Sequence, residues 1–176
     1  MEAGLIVVDG DVLNSGLDVV IHQANCHTIM GGGLAGTIAK YYPEAYAADK
    51  AFSVPTGEAR LGKYSWAWVN KQTFRIFNAY GQNEIAKKNK YGRYEGNMTD
   101  VPKLEEAIRG ILQYLKERNQ LYLRTGLPYE IGCNLAGGDW KEVAPMLDRV
   151  AKEYNVPLYA CRQTTPKRRK SIWTKK

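Results

Sequence analysis

Histidine is scarce in this chain of 176 residues: it occurs at His22 and His27 only. The three cysteines, Cys26, Cys133 and Cys161, are odd in number and lack CxxC spacing. That argues against a disulfide framework and against a thiolate zinc site. With no carboxylates clustered beside the two histidines, no metal constellation is visible, and metal-independent chemistry without a cofactor is expected. No apolar run reaches membrane-spanning length, so no membrane contact is expected. The opening MEAGLIVVDGD has no basic region before an apolar one, unlike a signal peptide. A reducing, cytoplasmic setting is the simplest expectation. The chain also lacks G-x-x-x-x-G-K-[ST] and a G-x-G-x-x-G opening in the usual place, which disfavours a Walker-type triphosphatase and a dinucleotide-binding Rossmann unit. It has no internal repeat.

Hydrophobic residues make up 44% and charged residues 24% of the chain, as in ordinary globular proteins. The length suits one domain. A net charge of +7 raises the question of nucleic acid, but six of the basic residues lie in 163–176, QTTPKRRKSIWTKK, and the remainder carries +1. Residues 1–162 therefore read as the folded domain and 163–176 as a basic, flexible tail. The tail would either make weak contacts with nucleic-acid phosphates or keep the protein soluble. A monomer is expected.

Periodicity predicts strands at Leu5–Asp9, Asp18–Gln23, Lys63–Val69 and Thr73–Asn78, the last two joined by a turn at Asn70–Gln72. A further strand lies within Leu121–Tyr129, and a last one at Val156–Cys161. Helical spacing covers Leu34–Tyr42, Pro43–Lys50, Val101–Arg118 and Trp140–Tyr154, with Thr99 or Asp100 available to cap the third and Asp139 the fourth. Residues 81–98 show no period and read as a long loop or lid, in which Lys87 and Lys88 are solvated by default. Strands alternate with helices that can cover both faces of a sheet, which predicts a three-layer α/β/α sandwich. The central hairpin makes that sheet mixed.

Two glycine-rich loops, Met30–Gly36 and Gly132–Gly138, each follow a strand and lead toward a helix. Open α/β sheets bind ligands beyond the carboxyl ends of their strands, and glycine lets several N–H groups face one point. From composition alone, phosphate cradle and structural turn remain equally open.

Four segments resemble the macrodomain, an ADP-ribose-binding module: VVDGDVL at 7–13, VIHQANCHTIMGGGLAG at 20–36, IFNAYGQ at 76–82 and LPYEIGCNLAGGDW at 127–140. The resemblance covers roughly residues 5–162. It is nearest to the branch that holds ADP-ribose-1''-phosphate phosphatases and terminal ADP-ribose protein glycohydrolases. It implies that Asp11 accepts from the adenine amino group with the Val12 N–H nearby, and that Asn25 lies beside the terminal ribose. Gly31, Gly32, Gly33 and Leu34 would line that ribose and one phosphate. Cys133, Asn134, Leu135, Ala136, Gly137 and Gly138 would wrap the diphosphate, and Tyr80 would pack on ribose or close the pocket.

The branch also carries chemistry that this sequence matches in part. The glycohydrolases' lysine nucleophile has no counterpart in FNAYGQ, and their loop aspartate aligns close to Ala136. His22 stands where the phosphatases have a histidine. The leading expectation is therefore hydrolysis of ADP-ribose-1''-phosphate, with His22 as proton shuttle, His27 as second candidate and Asn25 beside them. The alternatives are a hydrolase of ADP-ribosyl or O-acyl-ADP-ribose linkages and a non-catalytic ADP-ribose reader. Cys26 has no neighbour to activate it as a nucleophile.

Overall fold

The computed structural model describes residues 2–164. The basic segment read as a tail falls, from residue 165 on, outside the described residues. Six strands, β1 (Gly4–Asp9), β2 (Val19–Asn25), β3 (Tyr64–Val69), β4 (Phe74–Gln82), β5 (Thr125–Pro128) and β6 (Pro157–Arg162), form one sheet in the order β1-β6-β5-β2-β4-β3. All neighbours are parallel except β3, which pairs antiparallel with β4 at one edge. The sheet is therefore mixed, and helices cover both faces, giving the three-layer sandwich.

Helices α3 (Val101–Glu117) and α4 (Trp140–Glu153) bury one stripe each, Leu104, Ile108, Ile111 and Leu115 in α3 and Val143, Leu147 and Val150 in α4. These pack on Val19, Ile21, Phe77 and Ala79. Both helices begin with an aspartate: Asp100 accepts from the Lys103 N–H at 3.0 Å and Asp139 from the Lys141 N–H at 2.9 Å. The opposite face carries α1 (Gly33–Tyr41) and α2 (Pro43–Lys50), with Ile38 and Ala45 against Val20, Val69 and Ile76. Strand alternation thus sends Ile21 and Phe77 to one face and Val20, His22, Ile76 and Asn78 to the other.

This second face is not wholly apolar. Beneath α2 runs a buried polar chain. His22 Nε2 lies 2.6 Å from Asn78 Oδ1, and Asn78 Nδ2 donates to Ser65 Oγ at 2.9 Å and to the Ala45 carbonyl at 3.0 Å. Ser65 Oγ pairs with Tyr80 Oη, which donates to Asp49 Oδ1 at 2.7 Å. Asp49 and Arg60, 1% and 3% exposed, close the chain with an ion pair at 3.1 Å. An unpaired charge at this depth would cost several kcal/mol, so each member depends on the next.

Candidate functional site

The carboxyl ends of β2, β4 and β5 open into a cleft of about 390 Å³. Its wall brings together His22, Asn25, Gly31, Gly32, Gly33, Leu34, Asn134, Leu135 and Ala136 from the expected set. It adds residues that sequence patterning did not single out: Gln23, Ile29, Met30, Gln82, Ile85, Ala86, Tyr94 and Glu130. Glu130, the one acidic side chain on that wall, has left-handed backbone at φ 59°. Only the unusual backbone flags it, and a sequence carries no sign of that.

The first loop presents bare donors. The residue before α1, Gly32, offers no side-chain cap, and the first turn holds no acidic residue. The first N–H groups of a helix have no partner inside it, and Gly33, Leu34 and Ala35, which carry them here, line the cleft beside Gly31 and Gly32. A side chain at Gly31 would meet nothing within 4 Å, and one at Gly32 would meet only Leu135 Cδ1, at 3.5 Å. That open volume belongs to the cleft.

The second loop is packed instead. The N–H groups of Gly137 and Gly138 are spent on the Asn134 and Gly132 carbonyls, at 3.0 and 2.9 Å. The start of α3 is stapled to the same loop: Met98 N–H donates to the Ala136 carbonyl at 2.7 Å and Thr99 Oγ1 to the Gly132 carbonyl at 2.5 Å. Gln23 Nε2 reaches both Thr99 Oγ1 and Gln82 Oε1 at 2.9 Å, tying β2 and β4 to this joint. Of this loop, Gly132 and Asn134–Ala136 line the cleft.

Several expected residues stand elsewhere. Tyr80 is fully buried: its ring stacks on Phe52 and its hydroxyl belongs to the Ser65–Asp49 chain, so it neither packs on a cleft ligand nor closes the cleft. The strand β4 runs four residues past Asn78, and that extension carries Tyr80 inward. His27 is exposed in its loop and is not on the cleft wall. Cys133, Gly137 and Gly138 do not line the cleft. Asp11 and Val12 follow β1, beyond the wall; Asp11 braces its own turn through the Leu13 N–H at 3.0 Å and Asn14 Nδ2 at 2.7 Å, while Val12 is buried with Val20 and Ile38.

Asn25 shapes the loop that follows it. Its Oδ1 accepts from the His27 N–H at 2.9 Å and its Nδ2 donates to the Ile29 carbonyl at 2.7 Å. From behind, Arg60 donates to Thr28 Oγ1 at 3.1 Å, and Tyr46 Oη donates to the Thr28 carbonyl at 3.1 Å. Thr28 sits at φ 60°, a conformation that needs such support. Arg60 was invisible to periodicity because it lies in an aperiodic stretch between Gly57 and Lys63.

His22 is 1% exposed, and its Nδ1 makes no hydrogen bond among the described residues. Both Asn78 amide hydrogens are already donated, so Asn78 Oδ1 must accept. The imidazole therefore carries its proton on Nε2 and leaves Nδ1 bare. Burial pushes the His22 pKa below its ordinary value, against smaller upward pulls from Asn78 and the Gln23 backbone. The ring is therefore neutral near pH 7. Burial pushes the Cys26 and Cys133 thiols up to about 11, which disfavours thiolate nucleophiles. Among the described residues no group of three or more His, Cys, Asp or Glu could hold a metal ion, and no helix is long and apolar enough to cross a membrane.

With this geometry in view, similarity to known proteins is informative. No protein-family model matches the chain. It is 22% identical over 162 residues to a DNA ADP-ribosyl transferase–DNA ADP-ribosyl glycohydrolase fusion protein of Thermosipho africanus, covering 88% of this chain and 40% of that protein. The chain thus spans less than half the length of that relative. Among solved structures, the macrodomain of Mycobacterium tuberculosis DarG superposes with a TM-score of 0.70 at 16% identity, over 93% of this chain and 99% of that one. Thermosipho africanus DarTG in complex with ADP-ribose superposes with a TM-score of 0.69 at 20% identity, over 94% of this chain and 43% of that one. The fold is therefore that of a macrodomain.

Proposed function

We propose that this protein binds ADP-ribose in the cleft and hydrolyses the bond joining an ADP-ribosyl group to a macromolecule. The observation that carries the reading is the pair of opposed loops. Unspent N–H groups at the start of α1 face the Asn134–Ala136 segment across a cleft sized for a small molecule. A diphosphate between them would meet backbone donors on one side and a shaped loop on the other. The terminal ribose would lie beside Asn25, and the adenine would extend toward Asp11.

The ADP-ribose-1''-phosphate reading gives way to the ADP-ribosyl one on two grounds. The proton-shuttle roles on which the phosphatase expectation rested lose support, because His22 is buried and neutral and His27 stands off the wall. The Thermosipho relative is named for a glycohydrolase. A bare Nδ1 suits the other chemistry: water adds its oxygen to C1'', the bond from C1'' to the acceptor breaks, and the water proton passes to His22. The departing acceptor takes a proton from solvent. Loop N–H groups hold the diphosphate while charge develops on the ribose.

Calorimetric titration with ADP-ribose, followed by incubation with ADP-ribosylated oligonucleotide, ADP-ribosylated peptide, O-acetyl-ADP-ribose and ADP-ribose-1''-phosphate, tests this. Binding and release of ADP-ribose from a macromolecular substrate are expected. His22→Gln should slow that release about 100-fold or more, the usual worth of a general base, and leave ADP-ribose affinity unchanged. Absence of ADP-ribose binding overturns the whole reading. Phosphate release from the 1''-phosphate alone restores the phosphatase.

A further inference from the structure

The segment between β4 and α3 reads as polar filler in sequence but folds back on itself. Lys88 and Tyr94 pair as an antiparallel bridge, and the Asn89 N–H donates to the Arg93 carbonyl at 2.7 Å. Asn89 Oδ1 accepts from the Tyr91 and Arg93 N–H groups at 2.9 and 3.0 Å, and Gly92 supplies the left-handed turn at φ 74°. This is a small hairpin with a defined tip.

Its two faces differ. Ile85, Ala86 and Tyr94 line the cleft. Lys87, Lys88, Lys90 and Arg93 do not line it, and the ion pairs among the described residues include none of the four. Residues 87–94, KKNKYGRY, contain no acidic side chain. At the tip Tyr91 is 73% exposed, with the Lys90 ammonium 5.0 Å from its ring centre; the Lys88 ammonium stands 5.3 Å from that of Tyr94. Residues 1–162 carry only +1 in all, so this hairpin is a local concentration of positive charge on a near-neutral body.

We propose that the hairpin 87–94 is a platform for single-stranded nucleic acid, which it holds beside the cleft mouth as the carrier of the ADP-ribosyl group. The proposal rests on the ADP-ribosyl hydrolase reading for its substrate and names the class of macromolecule. Basic side chains alternating with an uncovered aromatic ring suit a strand whose phosphates and unstacked bases are both accessible. An acidic peptide would use the charges and leave Tyr91 without a role. Because the basic residues do not line the cleft, they serve the polymer and not the diphosphate of ADP-ribose.

The test uses the full chain, so the basic residues of 163–176 give the same background in every protein. Three proteins are compared: wild type, the quadruple charge reversal Lys87→Glu, Lys88→Glu, Lys90→Glu and Arg93→Glu, and the single Tyr91→Ala. Fluorescence anisotropy follows a labelled oligothymidylate between 50 and 200 mM salt. Calorimetry follows free ADP-ribose, and turnover is read on oligonucleotide-linked and peptide-linked ADP-ribose. Charge reversal should weaken oligonucleotide binding about 30-fold or more and flatten its log–log salt slope by about 3, near 0.7 per phosphate contact. Tyr91→Ala should weaken it about 5-fold or more, the loss of one stacked base. ADP-ribose affinity should stay within about twofold throughout. Unchanged oligonucleotide binding overturns the platform. An equal loss of ADP-ribose affinity also overturns it, by assigning the charges to the cleft, and an equal loss of peptide-linked turnover assigns the surface to a protein partner. Wild-type protein that binds the oligonucleotide but not ADP-ribose refutes the underlying reading instead.

Discussion

A side chain added at Gly31 would touch nothing within 4 Å, whereas one added at Gly137 would stand 2.0 Å from the Gly96 carbonyl oxygen. The two glycine loops look alike in sequence, and they use glycine for different purposes. At Gly31 and Gly32 of the first loop the missing side chains leave room for something outside the protein. In the second, the missing side chains are filled by the protein's own backbone: Gly138 would press on the Gly132 carbonyl at 2.6 Å, and Gly132 on Gln23 and Thr99. Glycine content alone therefore cannot say whether a loop binds or packs. The surroundings of each Cα decide, and the two loops can be separated by experiment.

The largest effect is expected at Gly137. Alanine there must relieve contact with a backbone carbonyl and also adopt φ 72°. Each cost is of order 1–3 kcal/mol. Gly137→Ala should lower unfolding free energy by about 3 kcal/mol in a urea titration and loosen the joint between the second loop and the start of α3. If its stability stays within about 0.5 kcal/mol of wild type, the second loop is as open as the first and the contrast fails.

Gly31→Val sharpens the same contrast from the other side. Open space and φ outside the left-handed region predict unfolding free energy within about 0.5 kcal/mol of wild type, like an ordinary surface change. A branched side chain projecting into the cleft should nevertheless weaken ADP-ribose binding at least about tenfold, or 1.4 kcal/mol. Retained affinity with retained stability would place the ligand away from this loop.

The contrast also marks what was legible in the sequence. Both loops, the strands that lead into them, and α3 and α4 with their Asp100 and Asp139 caps announce themselves through period and punctuation. The helices end within a residue or two of expectation. The end of β4 did not, because Asn78 and Tyr80 look like the polar close of a strand. Their partners, His22, Ser65, Asp49 and Arg60, lie far away in sequence, and satisfied polar groups leave no periodic trace. The family resemblance implies a cleft role for Tyr80, whereas its hydroxyl belongs to the support behind the cleft. Arg60 went unnoticed for the same reason, although it braces Thr28 in the loop that leads into the first glycines.

A last prediction concerns how that support connects to the first loop. His22 is held neutral by burial, so its folded-state pKa lies below the unfolded value near 6.5. Below that pH the unfolded chain binds a proton that the folded protein resists. Its contribution to stability is complete above pH 6.5 and is lost as pH falls toward the folded pKa. The loss approaches about 1.4 kcal/mol per pH unit while the folded ring stays neutral. His22→Gln keeps a donor toward Asn78 and removes the titration. Urea midpoints measured between pH 7.5 and 5 should fall less steeply for the variant than for the wild type. Parallel slopes would mean that the imidazole takes up its proton in the folded state.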